Sequence, residues 1–351
     1  MNSRHRLLTA LNGKVPDRVP SSLGFYHQDY AQLAPPGAWR DDWVDIYFIA
    51  FRLSPEERKL ARLAKPYGSD TRLGTVEQES TYRRWRYNPL SSDQRNPLSK
   101  AQSLSDLQRF PFPNLDQPHV DGWLAEQVAD LHARGKAAGG NLPHLGGELF
   151  EAAWRLRGLA NFLEDLLRRP EWAHFLLDRL TELACRNAHS LAQAGIDVLA
   201  LDDDVGMPGS MMISPATWRD FFKPRMEAII QSARRVNPEV KILFHSDGNF
   251  TPIIADLIEI GVDAINPLQP EHMHPLQIRK QFGPDLALWG TVGRQTTFSF
   301  SSPADIRQEV GERLETLGRA GLVLCPAYDI DEPDIPWANV EAFLKAVREL
   351  G

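Results

Sequence analysis

From about residue 120 onward the chain alternates short apolar runs with long amphipathic stretches, and this alternation limits the fold more than any other feature. Apolar runs at 137–142, 197–201, 241–245, 263–266, 286–289 and 322–325 read as buried strands. Between them, Trp172, Phe175, Leu176, Leu180 and Leu183 recur at helical steps, as do Trp218, Phe221, Phe222, Ile229 and Ile230 around Arg225. Strands separated by helices of that length imply parallel pairing with helical crossovers. One more strand is expected at 18–25, and a first helix after Ser3, which would cap it, carries Leu7, Leu8 and Leu11. Together these elements predict an α/β fold of the (β/α)8 TIM-barrel type with an elaborated N-terminal region. The elaboration and first strands would occupy 1–120 and the main repeats 121–351, in a single domain, since no repeat or linker divides the chain. A hairpin lid around 75–87, continued by the aromatic stretch 82–98, is expected over the barrel mouth.

Composition removes several classes of function. The 351 residues are 42% hydrophobic and 24% charged with a net charge of −7, so no basic surface marks the chain for nucleic acid or an anionic membrane. Apolar runs such as 46–51 fall far short of the roughly 20 residues that span a bilayer. The first 14 residues lack the continuous apolar core of a secretory signal. Two cysteines, Cys185 and Cys325, can build neither a disulfide framework nor a four-cysteine zinc site. A reducing, cytoplasmic location is the default expectation.

In a (β/α)8 barrel the chemistry gathers at the C-terminal ends of the strands, and the polar residues here fall at those ends. His245 and Asp247 follow one strand at alternate positions, which in extended chain point the same way, and Gly248 lets the chain turn off. Asp202, Asp203 and Asp204 end the preceding strand, and three adjacent carboxylates call for a cation to offset their repulsion, although capping and loop roles are the plainer alternative. Asn266 and Gln269, Arg294 and Gln295, and Tyr328 and Asp329 end the later ones. Trp154 and Trp289 are core candidates that could also wall a pocket.

Several motifs in order resemble the uroporphyrinogen decarboxylase superfamily, which includes cobalamin-linked methyltransferases. They are Ala10-Leu-Asn-Gly-Lys-Val-Pro-Asp-Arg-Val-Pro20, Leu149-Phe-Glu-Ala-Ala-Trp-Arg-Leu-Arg-Gly158, Asp203-Asp-Val-Gly206 with Ile213-Ser-Pro215, the histidine strand, Asn266-Pro-Leu-Gln-Pro270 and Leu288-Trp-Gly-Thr-Val-Gly-Arg-Gln295. The heme-pathway decarboxylase carries an arginine-rich N-terminal motif for its substrate carboxylates. The corresponding Ser21-Ser-Leu-Gly-Phe-Tyr-His-Gln-Asp29 has no arginine, so the resemblance is closer to the methyltransferase branches. Those branches hold zinc with a His-x-Cys pair and a distant cysteine. Here the pair is His245-Ser-Asp247 and the distant position matches Tyr328, so both thiolates are missing.

The resemblance implies a methyltransferase that moves a methyl group from a small oxygen- or heteroatom-linked donor to a corrinoid carried by a separate protein, with no covalently bound cofactor. His245, Asp247, Asp203 and Asp204 are the expected catalytic residues. A divalent metal such as zinc would sit on His245 and Asp247 with Glu151, Asp203 or Asp204 completing the sphere, the harder His/Asp pair suiting an oxygen better than a thiol; with no metal, the pair would act as acid and base. Glu151, Trp154, Arg157, Tyr26, His27, Gln269 and Tyr328 would contact the substrate. A small molecule and a corrinoid protein are the expected partners, and a homodimer a further candidate. Decarboxylation of a tetrapyrrole or a smaller acid, and a non-catalytic binding protein on the same barrel, are the alternatives.

Overall fold

The computed structural model describes residues 1–25, 30–49, 51, 96–110, 112, 122–142, 147–327 and 335–351. Seven parallel strands follow one another around the sheet in chain order: β1 (Ile46–Ile49), β2 (Ala137–Asn141), β3 (Val198–Asp202), β4 (Lys241–His245), β5 (Ala264–Leu268), β6 (Ala287–Val292) and β7 (Leu322–Pro326). Residues 20–22 close the ring. Leu324 donates its N–H to the Pro20 carbonyl and accepts from Ser22, and Asp45, just before β1, donates to the Ser21 carbonyl at 2.9 Å. The result is the eight-walled (β/α)8 barrel. The strand expected at 18–25 shrinks to this bridge because Pro20 has no N–H to give a ladder. β1, by contrast, is a four-residue strand that the irregular N-terminal sequence concealed.

The helices follow the apolar stripes with two corrections. The stripe from Trp218 to Ile230 is two helices, Pro215–Phe221 and Lys223–Arg234, because Pro224 lies in the first turn of the second and cannot continue the first. The first helix, Ser3–Leu11, is capped by Asn2, whose side chain accepts from His5 N–H, rather than by Ser3. No helix among the described residues is long and apolar enough to cross a membrane. The lid expected at 75–87 and nearly all of 82–98 lie outside the described residues.

Alternation of side chains sends one set of strand residues into the barrel. Ile46, Phe48, Ala137, Val198, Ala200, Leu243, Ala264, Ala287, Trp289, Val323 and Cys325 form that interior, and Leu7 and Leu11 of the first helix join it. Small residues on several strands make room for two large rings, Phe48 and Trp289, which meet edge to face at 6.5 Å. Gly139 is part of that fit, since a Cβ there would lie 2.5 Å from the Phe48 ring. Near the N-terminal helix, Arg6 pairs with fully buried Asp45 at 2.7 Å and with Asp17 at 2.8 Å, and Arg4 pairs with Asp197 at 2.8 Å. The polar groups of interest lie at the opposite strand ends.

Candidate active site

The tips of β3, β4 and β5 are in register, with Asp202 beside His245 and His245 beside Asn266. Neighbours in register share a face, so these side chains enter one layer at the top of the interior. Asn266 Nδ2 donates to the Trp289 carbonyl at 3.3 Å, which leaves its Oδ1 to accept from His245 Nδ1 at 2.6 Å. The other ring nitrogen, Nε2, is thereby turned toward the carboxylates of Asp202 and Asp204, at 3.9 and 3.8 Å. Phe25 stacks on the imidazole at 4.0 Å and fixes its plane.

Ligand atoms of Asp202, Asp204 and His245 all lie within 4.8 Å of one another, the one such grouping of His, Cys, Asp or Glu among the described residues. A neutral imidazole nitrogen held in its tautomer by a second group, with two carboxylates facing it, is a donor set for a divalent cation. Thiolates do not contribute to it. Cys325 is buried in the apolar interior, and Cys185 sits on the helix Pro170–Gln193 with its thiol pushed up to about 11 by burial. The residues fit a nitrogen- and oxygen-liganded ion and do not reproduce a zinc–thiolate centre.

The middle aspartate does different work. Asp203 is fully buried and its carboxylate accepts from the N–H groups of Leu149, Phe150 and Glu151 at 3.4, 3.0 and 3.1 Å, so it caps the helix Phe150–Arg157. Burial pushes its carboxyl up to about 7, against the opposing pull of those N–H groups. Glu148 clamps the same strand tip: its Oε2 accepts from Asp202 N–H at 2.6 Å and its own N–H donates to the Asp202 carbonyl at 2.8 Å. Its Oε1 is buried without a hydrogen-bond partner among the described residues, and burial beside Asp202 and Asp203 raises its carboxyl well above the usual range. The carboxylate of Asp203, expected as catalytic, is engaged by the helix N–H groups and lies outside the His245 group. Glu148 was not anticipated.

Asp247 does not converge with His245 on one ligand site. Asp204 and Asp247 both lie beyond the ladder at their strand tips, and of the two it is Asp204, not Asp247, that joins the His245 group. Asp247 Oδ1 instead accepts from Gln269 Nε2 at 3.0 Å, while Gln269 Oε1 accepts from Gly248 N–H at 2.6 Å. Asp204 takes the place expected of Asp247, and its Oδ1 also accepts from Asp247 N–H at 2.6 Å. Asp202 was missed as a ligand candidate, although the alternate spacing that singled out His245 and Asp247 applies equally to Asp202 and Asp204.

On the helix Phe150–Arg157, Glu151 pairs with Arg155 at 2.6 Å and is not in the His245 group; Arg155 in turn lies over the Trp154 ring at 4.5 Å. Arg157, expected at the substrate, is enclosed: it is 2% exposed, its Nε donates to Asp165 at 2.8 Å, and its Nη1 donates to the carbonyls of Leu98 and Ser99. Its charge is spent inside the protein. Tyr26, His27 and Tyr328 lie outside the described residues, and the site has no account of them.

This arrangement places the chain among (β/α)8-barrel enzymes whose reactive groups crown the strand C-termini. A family profile described as uroporphyrinogen decarboxylase (URO-D) matches residues 150–350, and the chain belongs to that family. A methylcobamide:CoM methyltransferase, MtaA, of Methanosarcina barkeri is 26% identical across 98% of this chain and 97% of its own length. A uroporphyrinogen decarboxylase of Pseudomonas fluorescens is 26% identical over 71% of the chain, and one of Thermus thermophilus 29% over 50%. Among solved structures, a methyltransferase from Methanosarcina mazei superposes with a TM-score of 0.68 over 99% of both chains at 19% identity, a likeness of fold.

Proposed function

We propose that this enzyme transfers a methyl group from a small oxygen- or heteroatom-linked methyl donor to a corrinoid held by a separate protein. The observation that carries the reading is the group of His245, Asp202 and Asp204 at the barrel mouth, with no thiolate beside it. The full-length match to a methyltransferase supports the reaction class, while that relative's name gives CoM as its methyl acceptor. A donor set of one imidazole and two carboxylates is hard and suits an oxygen. A divalent ion held there would supply Lewis-acid polarisation of the donor heteroatom. The chain's own residues do the rest. Asn266 and Phe25 fix the imidazole and Glu148 and Asp203 hold the β3 tip; the role proposed for partly exposed Asp247, steadied by Gln269, is to orient the substrate. The methyl carbon leaves without the bonding electron pair, which stays on the donor heteroatom, and that atom takes a proton.

The reading is tested by following the absorption of a reduced corrinoid protein with a panel of methyl ethers, with His245→Ala and Asp204→Asn as controls. Methylation lost in both variants supports it, and methylation unchanged in either removes the site. Uroporphyrinogen decarboxylase relatives keep a second reading in view. The absence of arginine between Ser21 and Asp29 speaks against it, and formation of coproporphyrinogen under anaerobic conditions would restore it.

A further inference from the structure

We propose that Ser246, which touches neither the substrate nor the ion, is the positioning residue that holds Asp204 against His245. The inference rests on the cation site proposed above. Ser246 follows His245 in sequence and is completely buried. Its Oγ accepts from the N–H groups of Val205 and Gly206 at 3.0 and 3.2 Å and donates to the Asp247 carbonyl at 3.1 Å. Its own N–H donates to the Asn266 carbonyl at 2.9 Å. One hydroxyl therefore joins the chain just after one carboxylate, Asp204, to the chain just after the imidazole.

The need for it follows from the ladder. The bond from Asp203 N–H to the His245 carbonyl, at 3.0 Å, is the last ladder-like link between β3 and β4. The next chain segment leaves the sheet while still buried, where a main-chain N–H without an acceptor is strongly disfavoured. Ser246 supplies that acceptor twice. Around it the two loops pass so closely that a Cβ on Gly206 would lie 2.2 Å from the Asp247 carbonyl oxygen. Asn249 N–H then donates to the Met207 carbonyl at 2.8 Å, and Asp247 N–H to Asp204 itself. The hydroxyl thus adds two acceptor contacts, on Val205 and Gly206, to the links that set the distance of the Asp204 loop from the imidazole.

The test uses the full chain as wild type, Ser246→Ala and Ser246→Thr. Two readouts are taken: amide hydrogen exchange at 203–206 in the metal-free protein, and Co(II) titration followed by its absorption spectrum. In Ser246→Ala, exchange at Val205 and Gly206 should quicken about tenfold or more while β6 is unchanged. Co(II) affinity should fall about 10–100-fold with an altered spectrum. Ser246→Thr, which keeps the hydroxyl, should recover both. Unchanged exchange and unchanged Co(II) binding in folded Ser246→Ala, or equal losses in both variants, would overturn the inference. If Ser246→Ala does not fold, Ser246→Cys, with its weakly accepting sulfur, carries the same comparison. A wild type that takes up no Co(II) defeats the cation reading alone, and exchange then decides the role of Ser246.

Discussion

Asp202, Asp203 and Asp204 show why a run of identical residues need not share one task. The outer two face the imidazole of His245, and the middle one turns away to cap a helix. The alternate spacing is compatible with that division, but β3 ends at Asp202 and it is a loop contact, Asp247 N–H to Asp204, that helps hold the third carboxylate. What the spacing could not show was the partner: Asp203 meets a helix start more than fifty residues earlier in the chain, and Arg157 is neutralised by Asp165 rather than by substrate. Buried Asp203 and Glu148 both bind their protons more tightly in the fold than in the unfolded chain. Their contribution to stability is therefore complete below the ordinary carboxylate range and is lost as pH rises toward about 7, where Asp203 titrates. Metal-free protein should be less stable at pH 7.5 than at pH 5, by on the order of 2 kcal/mol from Asp203 alone. Urea unfolding at the two pH values checks this, and Asp203→Asn should flatten the difference while lowering stability at pH 5; an equal pH dependence in the variant would contradict it.

The strands after residue 120 were legible to within a few residues because each is a short, almost continuously buried run separated from the next by helix. The signal failed where chain chemistry cut across it. Pro20 reduced an expected strand to a bridge, and Pro224 split an apparently continuous stripe into two helices. The four-residue β1 lay in the irregular N-terminal sequence, where no regular alternation of strand and helix patterns framed it. Contacts between elements depend on atoms that the pattern does not register. Gly139 faces the Phe48 ring, and Gly139→Ala should lower stability by about 1–3 kcal/mol, through a shifted ring in the barrel interior. Chemical denaturation measures the loss. A neutral result would mean that the interior yields more easily than its packing implies.

The whole molecule separates stability from chemistry along the barrel axis. Arg6, Asp45 and Asp17 tie the N-terminal helix to the barrel wall away from the strand tips, and the carboxylate–imidazole group crowns the other end. Removing Arg6 leaves buried Asp45 with Arg18 and the Ser21 N–H as its remaining partners. Arg6→Ala should accordingly cost about 1–3 kcal/mol of stability and leave metal uptake unchanged in the folded fraction. Thermal unfolding and a Co(II) titration of the same preparation give both numbers, and metal loss at unchanged stability would reverse the assignment. The His245, Asp202 and Asp204 group is proposed to hold a divalent ion used in methyl transfer. The most direct test is elemental analysis of purified wild type and of His245→Ala and Asp202→Asn after equilibration with divalent metals and desalting. An equimolar ion is expected in the wild type and little in either folded variant. A metal-free wild type, or variants that keep the ion, would contradict the proposal.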